Sequence, residues 1–181
     1  MTTGHPEIFP HQHDHPHWPT TLAALIVGAC FFSLWFWLLP PVLGLRIDAA
    51  RSAGWRWLAA IPSVLGFAVA IRCVWDFGRT GHGTPAPFAP PQRLVVAGPY
   101  RYVRNPMYLG FVTGWIGLWI IFGEANLSAL VLTCVAALGI LLFVRFYEEP
   151  TLRYKFGADY DQYCRNVPRW LPRTRPWTQP N

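Results

Sequence analysis

Charged residues are scarce in this sequence of 181 residues. Only 13% are Asp, Glu, Lys or Arg, whereas 52% are hydrophobic and 16% are aromatic. Acidic residues are the scarcest, with nine Asp and Glu against 15 Lys and Arg. Soluble globular domains carry about 25% charged residues. The composition therefore excludes an ordinary soluble domain.

Cysteine is also scarce, and its spacing excludes the usual cysteine frameworks. The four cysteines are Cys30, Cys73, Cys134 and Cys164, and no two of them form a C-x-x-C pair. The first three lie in apolar stretches, where cysteine packs as a small hydrophobic residue. The sequence therefore predicts neither a disulfide framework nor a cysteine metal site.

Long hydrophobic runs are what the sequence has instead. Four apolar blocks cover residues 22–39, 57–74, 107–122 and 127–146. Each approaches the ~20 residues that a helix needs to cross a bilayer. A soluble bundle is the alternative, but its helices show a polar face, and the fourth block has no charge before Arg145. The sequence predicts an all-α polytopic membrane protein with about four transmembrane helices.

The links between the blocks predict the topology. Residues 123–126 are too few for anything but an antiparallel hairpin of the third and fourth helices. Residues 77–106 and the tail after residue 146 then lie on one side, which is rich in Arg. The positive-inside rule places this side in the cytoplasm, although the arginines of the first link, Arg46, Arg51 and Arg56, argue the other way.

The N-terminal segment is rich in His and Pro. His11, His13, His15 and His17 alternate with other residues, and neutral imidazoles bind zinc, copper or nickel. The prolines around them oppose a rigid cage, and nothing nearby completes a second shell of ligands. We interpret residues 1–20 as a disordered tail without a designed metal site.

A loop rich in Gly and Pro follows the second block. Residues 78–100 contain four glycines and five prolines, so this segment is not a helix. Its glycines could let backbone amides approach an anion. The spacing matches neither a Walker nor a Rossmann fingerprint, which favours a flexible linker.

The stretch GPYRYVRNPMYLG, residues 98–110, opens the third helix. Pro106 suits the first helical position and Asn105 suits the N-cap before it. Capping does not explain the Arg and Tyr residues around it, among them Arg104 and Tyr108. Interfacial Tyr and snorkelling Arg are the alternative explanation.

Two adjacent carboxylates, Glu148 and Glu149, follow the fourth block and end the predicted fourth helix. At a helix C-terminus they oppose the macrodipole, unless Pro150 starts a new helix with Glu149 at its favourable end. The hairpin brings them to the depth of Arg104 and Asn105. A donor-rich helix N-terminus beside carboxylates suits a zwitterionic amino acid, whose carboxylate binds amides and Arg and whose ammonium binds Glu.

Two motifs in this order resemble a known superfamily. The segment LVVAGPYRYVRNPMYLG, one hairpin, and then EEPTLRYKFGADYDQYCRNVPRWLP are similar to the isoprenylcysteine carboxyl methyltransferase and phospholipid methyltransferase superfamily. Its members are small integral membrane enzymes that use S-adenosylmethionine. The resemblance covers residues 78–172. Asn105 departs from the family's usual His, and Asn cannot act as a base or carry charge.

The resemblance implies a set of site residues. It places residues 92–95 and Tyr100 at the adenosine end of the cofactor. It places residues 105–108 at the methionyl end with Glu149 and, as a second candidate, Glu148, while Arg145 faces the substrate. The implied cofactor-binding residues are Gln92, Arg93, Leu94, Val95, Gly98, Tyr100, Asn105, Pro106, Met107, Tyr108 and Glu149. The implied catalytic residues are Arg104, Asn105, Arg145 and Glu148.

The resemblance also implies the organisation and the partners. We expect two transmembrane helices in residues 21–76, and a catalytic region in residues 77–175 with a cofactor-binding loop, a transmembrane hairpin and a cytoplasmic C-terminal helix. S-adenosylmethionine is the expected cofactor, and the expected acceptor is an isoprenylcysteine carboxylate, a phospholipid amine or a small thiol. We expect a bacterial inner membrane, a site that faces the cytoplasm, and no nucleic acid. A sterol-reductase-like NADPH oxidoreductase and a non-enzymatic metal-binding membrane module are the alternatives.

Overall fold

The computed structural model describes residues 54–81, 91–122 and 127–178, together with the isolated positions 22, 26 and 33. These segments are helical or irregular and contain no β-strand. The α-helices are α1 (Ala60–Thr80), α2 (Pro106–Phe122), α3 (Leu127–Phe143) and α4 (Glu149–Asn166). Short 3-10 turns precede α1 and α2 at Gly54–Ala59 and Gly98–Arg101, and a π-helical turn, Val144–Glu148, joins α3 to α4.

Two of the helical stretches are long and apolar enough to cross a membrane, Gly54–Thr80 and Ala129–Asn166, and the apolar helix Pro106–Phe122 is shorter. Many of their large apolar side chains are exposed, such as Leu65 at 61% and Val135 at 60%. A soluble protein rarely exposes so much apolar surface, which indicates a lipid-facing exterior. The helices and turns given above cover the predicted blocks 57–74, 107–122 and 127–146, which are confirmed as helical. The block 22–39 lies outside the described residues apart from isolated positions, so the number of four spans stays a prediction.

Small residues hold α1 and α2 close together. The Ser63 hydroxyl donates to the Gly114 carbonyl over 3.1 Å. A Cβ added at Gly66 would meet the Gly110 carbonyl and would lie 2.8 Å from the Gly114 nitrogen. Backbones that approach this closely are typical of helix pairs in membranes, where small residues allow tight van der Waals packing.

Helices α2 and α3 form the antiparallel hairpin that the short link predicts. Near the end of α2, Trp115 and Trp119 pack with Ala129 at the start of α3. At the opposite end, the Tyr108 hydroxyl donates to Glu148 over 2.9 Å. The first turn of α2 therefore lies beside the junction of α3 with α4.

Helix α4 bends at Gly157, whose φ of 51° is readily adopted only by glycine. Aromatic residues from both sides of the bend, including Phe156, Tyr160 and Tyr163, pack with Leu94 and with Trp177 of the C-terminal tail. The predicted C-terminal helix is confirmed, and the bend lets both of its halves face the segment that precedes α2.

The close approach of α1 to α2 yields a test of the scaffold. We expect Gly110→Ala to lower the free energy of unfolding by about 1–3 kcal/mol, because the added methyl meets backbone atoms that cannot rotate away. Gly139→Ala is the matched control, since no atom lies within 4 Å of a Cβ there. Thermal unfolding in detergent measures both, and equal melting temperatures for the two variants would contradict this packing.

Candidate functional site

The segment before α2 is a chain of turns that proline and glycine impose. Gly98 has a φ of 50°, and Pro99 fixes the next residue of the 3-10 turn. The Leu109 N–H donates to the Asn105 carbonyl over 3.2 Å, so Asn105 occupies the predicted N-cap position before Pro106. Its side-chain Nδ2 donates to the Arg169 carbonyl over 3.1 Å. The Asn105 side chain thus connects the segment before α2 to the C-terminal tail.

The tail returns over this turn and satisfies its backbone groups. The Arg104 N–H donates to the Pro168 carbonyl over 2.9 Å, and the Arg173 N–H donates to the Tyr102 carbonyl over 3.0 Å. Further along, the Trp177 N–H donates to the Arg101 carbonyl over 2.9 Å. The tail is consequently part of the wall that surrounds the mouth of α2.

Glu149 is the most buried carboxylate at this place, with 4% of its side chain exposed. Arg169 binds it with two hydrogen bonds, Nε to Oε1 over 2.7 Å and Nη2 to Oε2 over 2.6 Å. Arg104 lies on the same carboxylate, with Nη1 at 3.1 Å from Oε1. A buried carboxylate is costly without such partners, so the two arginines and Glu149 form one unit, which we call the Glu149 cluster.

Arg104 carries more hydrogen-bond donors than the Glu149 cluster uses. Its side chain is 12% exposed, and Nη1 also donates to the Cys164 sulfur. Within the described residues, its Nε is buried without a hydrogen-bond partner. Buried polar atoms in native proteins are nearly always paired, so this nitrogen is a candidate donor to a ligand.

Glu148 differs from its neighbour in its surroundings. It lies beyond the apolar run, is partly buried, and accepts a hydrogen bond from Tyr108 over 2.9 Å. No arginine pairs with Glu148 among the described residues, so it can accept a cation from a ligand.

A small cleft, partly open to solvent, connects these groups. Charged and polar residues occupy one part of its lining, and aliphatic and aromatic residues form the remainder. Its lining residues are Phe77, Pro91, Leu94, Val95, Tyr100, Arg104, Asn105, Glu148, Glu149, Leu152, Phe156, Tyr160 and Tyr163.

A hydrogen bond between two tyrosines ties opposite walls of the cleft together. The Tyr163 hydroxyl donates to the Tyr100 carbonyl over 2.7 Å. Helix α4 is thereby fixed against the turn that precedes α2.

The structure brings about half of the predicted site residues together in this cleft. The residues that line it are Leu94, Val95, Tyr100, Arg104, Asn105, Glu148 and Glu149. Tyr108 adjoins it through its bond to Glu148. Pro106 is buried at the start of α2.

The other predicted residues lie elsewhere. Met107 packs against Cys73 and Tyr100 on the side of α1. Gly98 lies against Asp76 of α1, and Gln92, Arg93 and Arg145 are exposed outside the lining. The predicted roles of these residues remain predictions.

Sequence reasoning missed the residues that the C-terminal part contributes. Leu152, Phe156, Tyr160 and Tyr163 follow one another at intervals of four, four and three residues, which is the spacing of one helix face. That periodicity could have identified them. Arg169 carries no such signal, because its position depends on how the tail folds back.

The described residues contain no group of three or more His, Cys, Asp and Glu side chains that could hold a metal ion. The histidines at positions 11–17 lie outside the described residues.

One comparison with known proteins gives a match. The family model described as phospholipid methyltransferase matches residues 55–159, which is more than half of the chain. The match runs from the turn before α1 into α4 and contains both carboxylates of the cleft. No curated protein and no solved structure matches the chain.

The two adjacent carboxylates allow one substitution to be compared at neighbouring positions. We expect Glu149→Gln to lower the free energy of unfolding of the ligand-free protein by roughly 3 kcal/mol, because two guanidinium groups lose their anion. Glu148→Gln keeps a hydrogen-bond partner for Tyr108 and removes no ion pair, so its stability should stay close to that of the wild type. Chemical unfolding in detergent distinguishes them, and a fully stable Glu149→Gln protein would show that the cluster is not a structural support.

Proposed function

Because the chain belongs to the phospholipid methyltransferase family, we propose that it transfers a methyl group from S-adenosylmethionine to a lipid-like acceptor at the membrane surface. The observation that supports this most directly is the composition of the cleft. Counting only the residues that the structure describes, it offers an arginine with an unpaired donor and a carboxylate that no cation contacts, beside apolar and aromatic side chains. The cleft lies where apolar helices end, which is the place where a polar cofactor and a lipid can meet.

The residues of the cleft fit this cofactor. A methionyl group is zwitterionic, so its carboxylate would bind Arg104 and its ammonium would bind Glu148. The purine would lie along the apolar and aromatic wall, which includes Val95, Tyr100 and Phe156. The charged and apolar parts of the lining are continuous, as a ligand with one zwitterionic and one aromatic end requires.

When bound, S-adenosylmethionine supplies a methyl group on a sulfonium, which is already activated for transfer. The chain has to bind and orient the two reactants and exclude water. The Glu149 cluster fixes Arg104, and the bond between Tyr163 and Tyr100 fixes the opposing wall. Asn105 is engaged as a donor to the Arg169 carbonyl, so its proposed role is to hold the tail against the turn that precedes α2.

The acceptor and the orientation complete the proposal. An isoprenylcysteine carboxylate or a phospholipid amine could arrive from the bilayer along the exposed apolar surface of α3, which the π-helical turn connects to Glu148 in the cleft lining. We place the cleft on the cytoplasmic side, because the loop before α2 and the tail are rich in arginine.

The proposal predicts saturable binding and labelled lipid. Wild-type protein in lipid nanodiscs should bind radiolabelled S-adenosylmethionine in preference to NADPH, and the methyl label should then appear in the organic extract. Glu148→Gln should raise the dissociation constant at least tenfold, which is ~1.4 kcal/mol, because it removes the anion that would hold the ammonium. The control Asp159→Asn changes an exposed residue outside the lining and should bind as the wild type does. Preferential binding of NADPH, or cofactor binding without transfer to any lipid, would overturn the proposal.

A further inference from the structure

Asp76 is a second buried carboxylate, and the proposed reaction does not use it. It lies one turn before the end of α1 and is only 3% exposed. Ionisable residues beside an apolar layer are costly and are retained mainly for function. Its charged partner in the structure is Arg72, whose Nε lies 3.0 Å from Oδ1 and 3.2 Å from Oδ2.

Arg72 alone does not account for the burial of this carboxylate. The Arg72 side chain is 61% exposed. The ion pair therefore does not require a buried Asp76, because it could form equally well with both side chains exposed in the interfacial layer. The backbone of Gly98 covers the carboxylate instead. A Cβ added at Gly98 would collide with Oδ2 of Asp76 and would lie 3.6 Å from the Arg72 Nε. Asp76 is therefore buried by the turn that precedes α2, and its oxygen sets how closely that turn approaches α1.

The same turn carries one wall of the cleft. Gly98 begins the 3-10 turn Gly98–Arg101, and two residues later Tyr100 lines the cleft and accepts the Tyr163 hydrogen bond. The residue after Asp76, Phe77, also lines the cleft, and its ring meets Tyr100 edge to face at 5.3 Å. Asp76 thus contacts the turn at Gly98, while Tyr100 of the same turn lines the cleft.

We propose that Asp76, held by Arg72, is a positioning residue that fixes the Gly98–Arg101 turn against α1 and so sets the placement of Tyr100 and Phe77 for the cofactor. This role rests on the proposed function, because it assigns that wall to the purine. Asp76 touches no reacting group, so its loss should act on cofactor affinity and leave the transfer step largely intact.

The test compares Asp76→Ala with Asp161→Asn. Asp161 also pairs with an arginine, Arg153, over 2.7 Å, but both are exposed and lie outside the cleft lining. In nanodiscs, Asp76→Ala should raise the KM for S-adenosylmethionine about tenfold with kcat changed less than threefold, whereas Asp161→Asn should leave both unchanged. Asp76→Asn keeps the shape of the side chain and should fall between Asp76→Ala and the wild type. A fall in kcat without a rise in KM would overturn the positioning role.

Hydrogen–deuterium exchange separates this inference from the proposed function. In ligand-free Asp76→Ala protein, amides of residues 98–104 should exchange at least tenfold faster than in the wild type, while those of α2 beyond its first turn should not change. Unchanged exchange at 98–104 would overturn the inference even if the protein proves to be a methyltransferase. Faster exchange in a protein that binds no S-adenosylmethionine would support the contact and reject the proposed function instead.

Discussion

The burial of one carboxylate, Glu149, is the constraint on which this structure depends. The residue lies where the apolar helix α3 gives way to the polar helix α4, and an ionised side chain with 4% exposure needs cations beside it. Arg104 comes from the turn before α2, and Arg169 comes from the tail after α4. One carboxylate therefore joins three segments that are distant in sequence, and it lies in the lining of the cleft beside Arg104 and Asn105.

The two adjacent carboxylates have different partners in this arrangement and therefore different roles. Glu149 is occupied by the protein's own arginines, whereas Glu148 is bound only by a tyrosine hydroxyl among the described residues. The first can support the fold and the second can meet a ligand. Further into the apolar layer, the glycine contacts of α1 with α2 hold these two helices close together.

Much of the fold could be predicted from the sequence, because apolar runs and short links are strong local signals. The blocks 107–122 and 127–146 agree with α2, α3 and the π-helical turn within a few residues, and the short link predicted that Arg104 and Asn105 face Glu148 and Glu149. The contribution of Arg169 could not be predicted, since the tail folds back onto the turn largely through backbone groups, and no spacing in the sequence indicates where the two segments meet. Met107 and Arg145 are two residues that the motif predicted in the site and that do not line the cleft. A motif names residues, but helix register decides that Met107 packs towards α1 and that Arg145 is exposed.

The most direct test of the Glu149 constraint is the coupling energy between Glu149 and Arg169. A double-mutant cycle of Glu149→Gln, Arg169→Gln and the combined variant, read as unfolding free energies of the ligand-free protein, isolates the pair from the separate cost of each change. The account predicts a coupling of at least about 1.5 kcal/mol, because two hydrogen bonds and a buried charge pair are lost together. Effects that add to within about 0.5 kcal/mol would contradict it, and the cleft would then have to be organised by something other than this carboxylate.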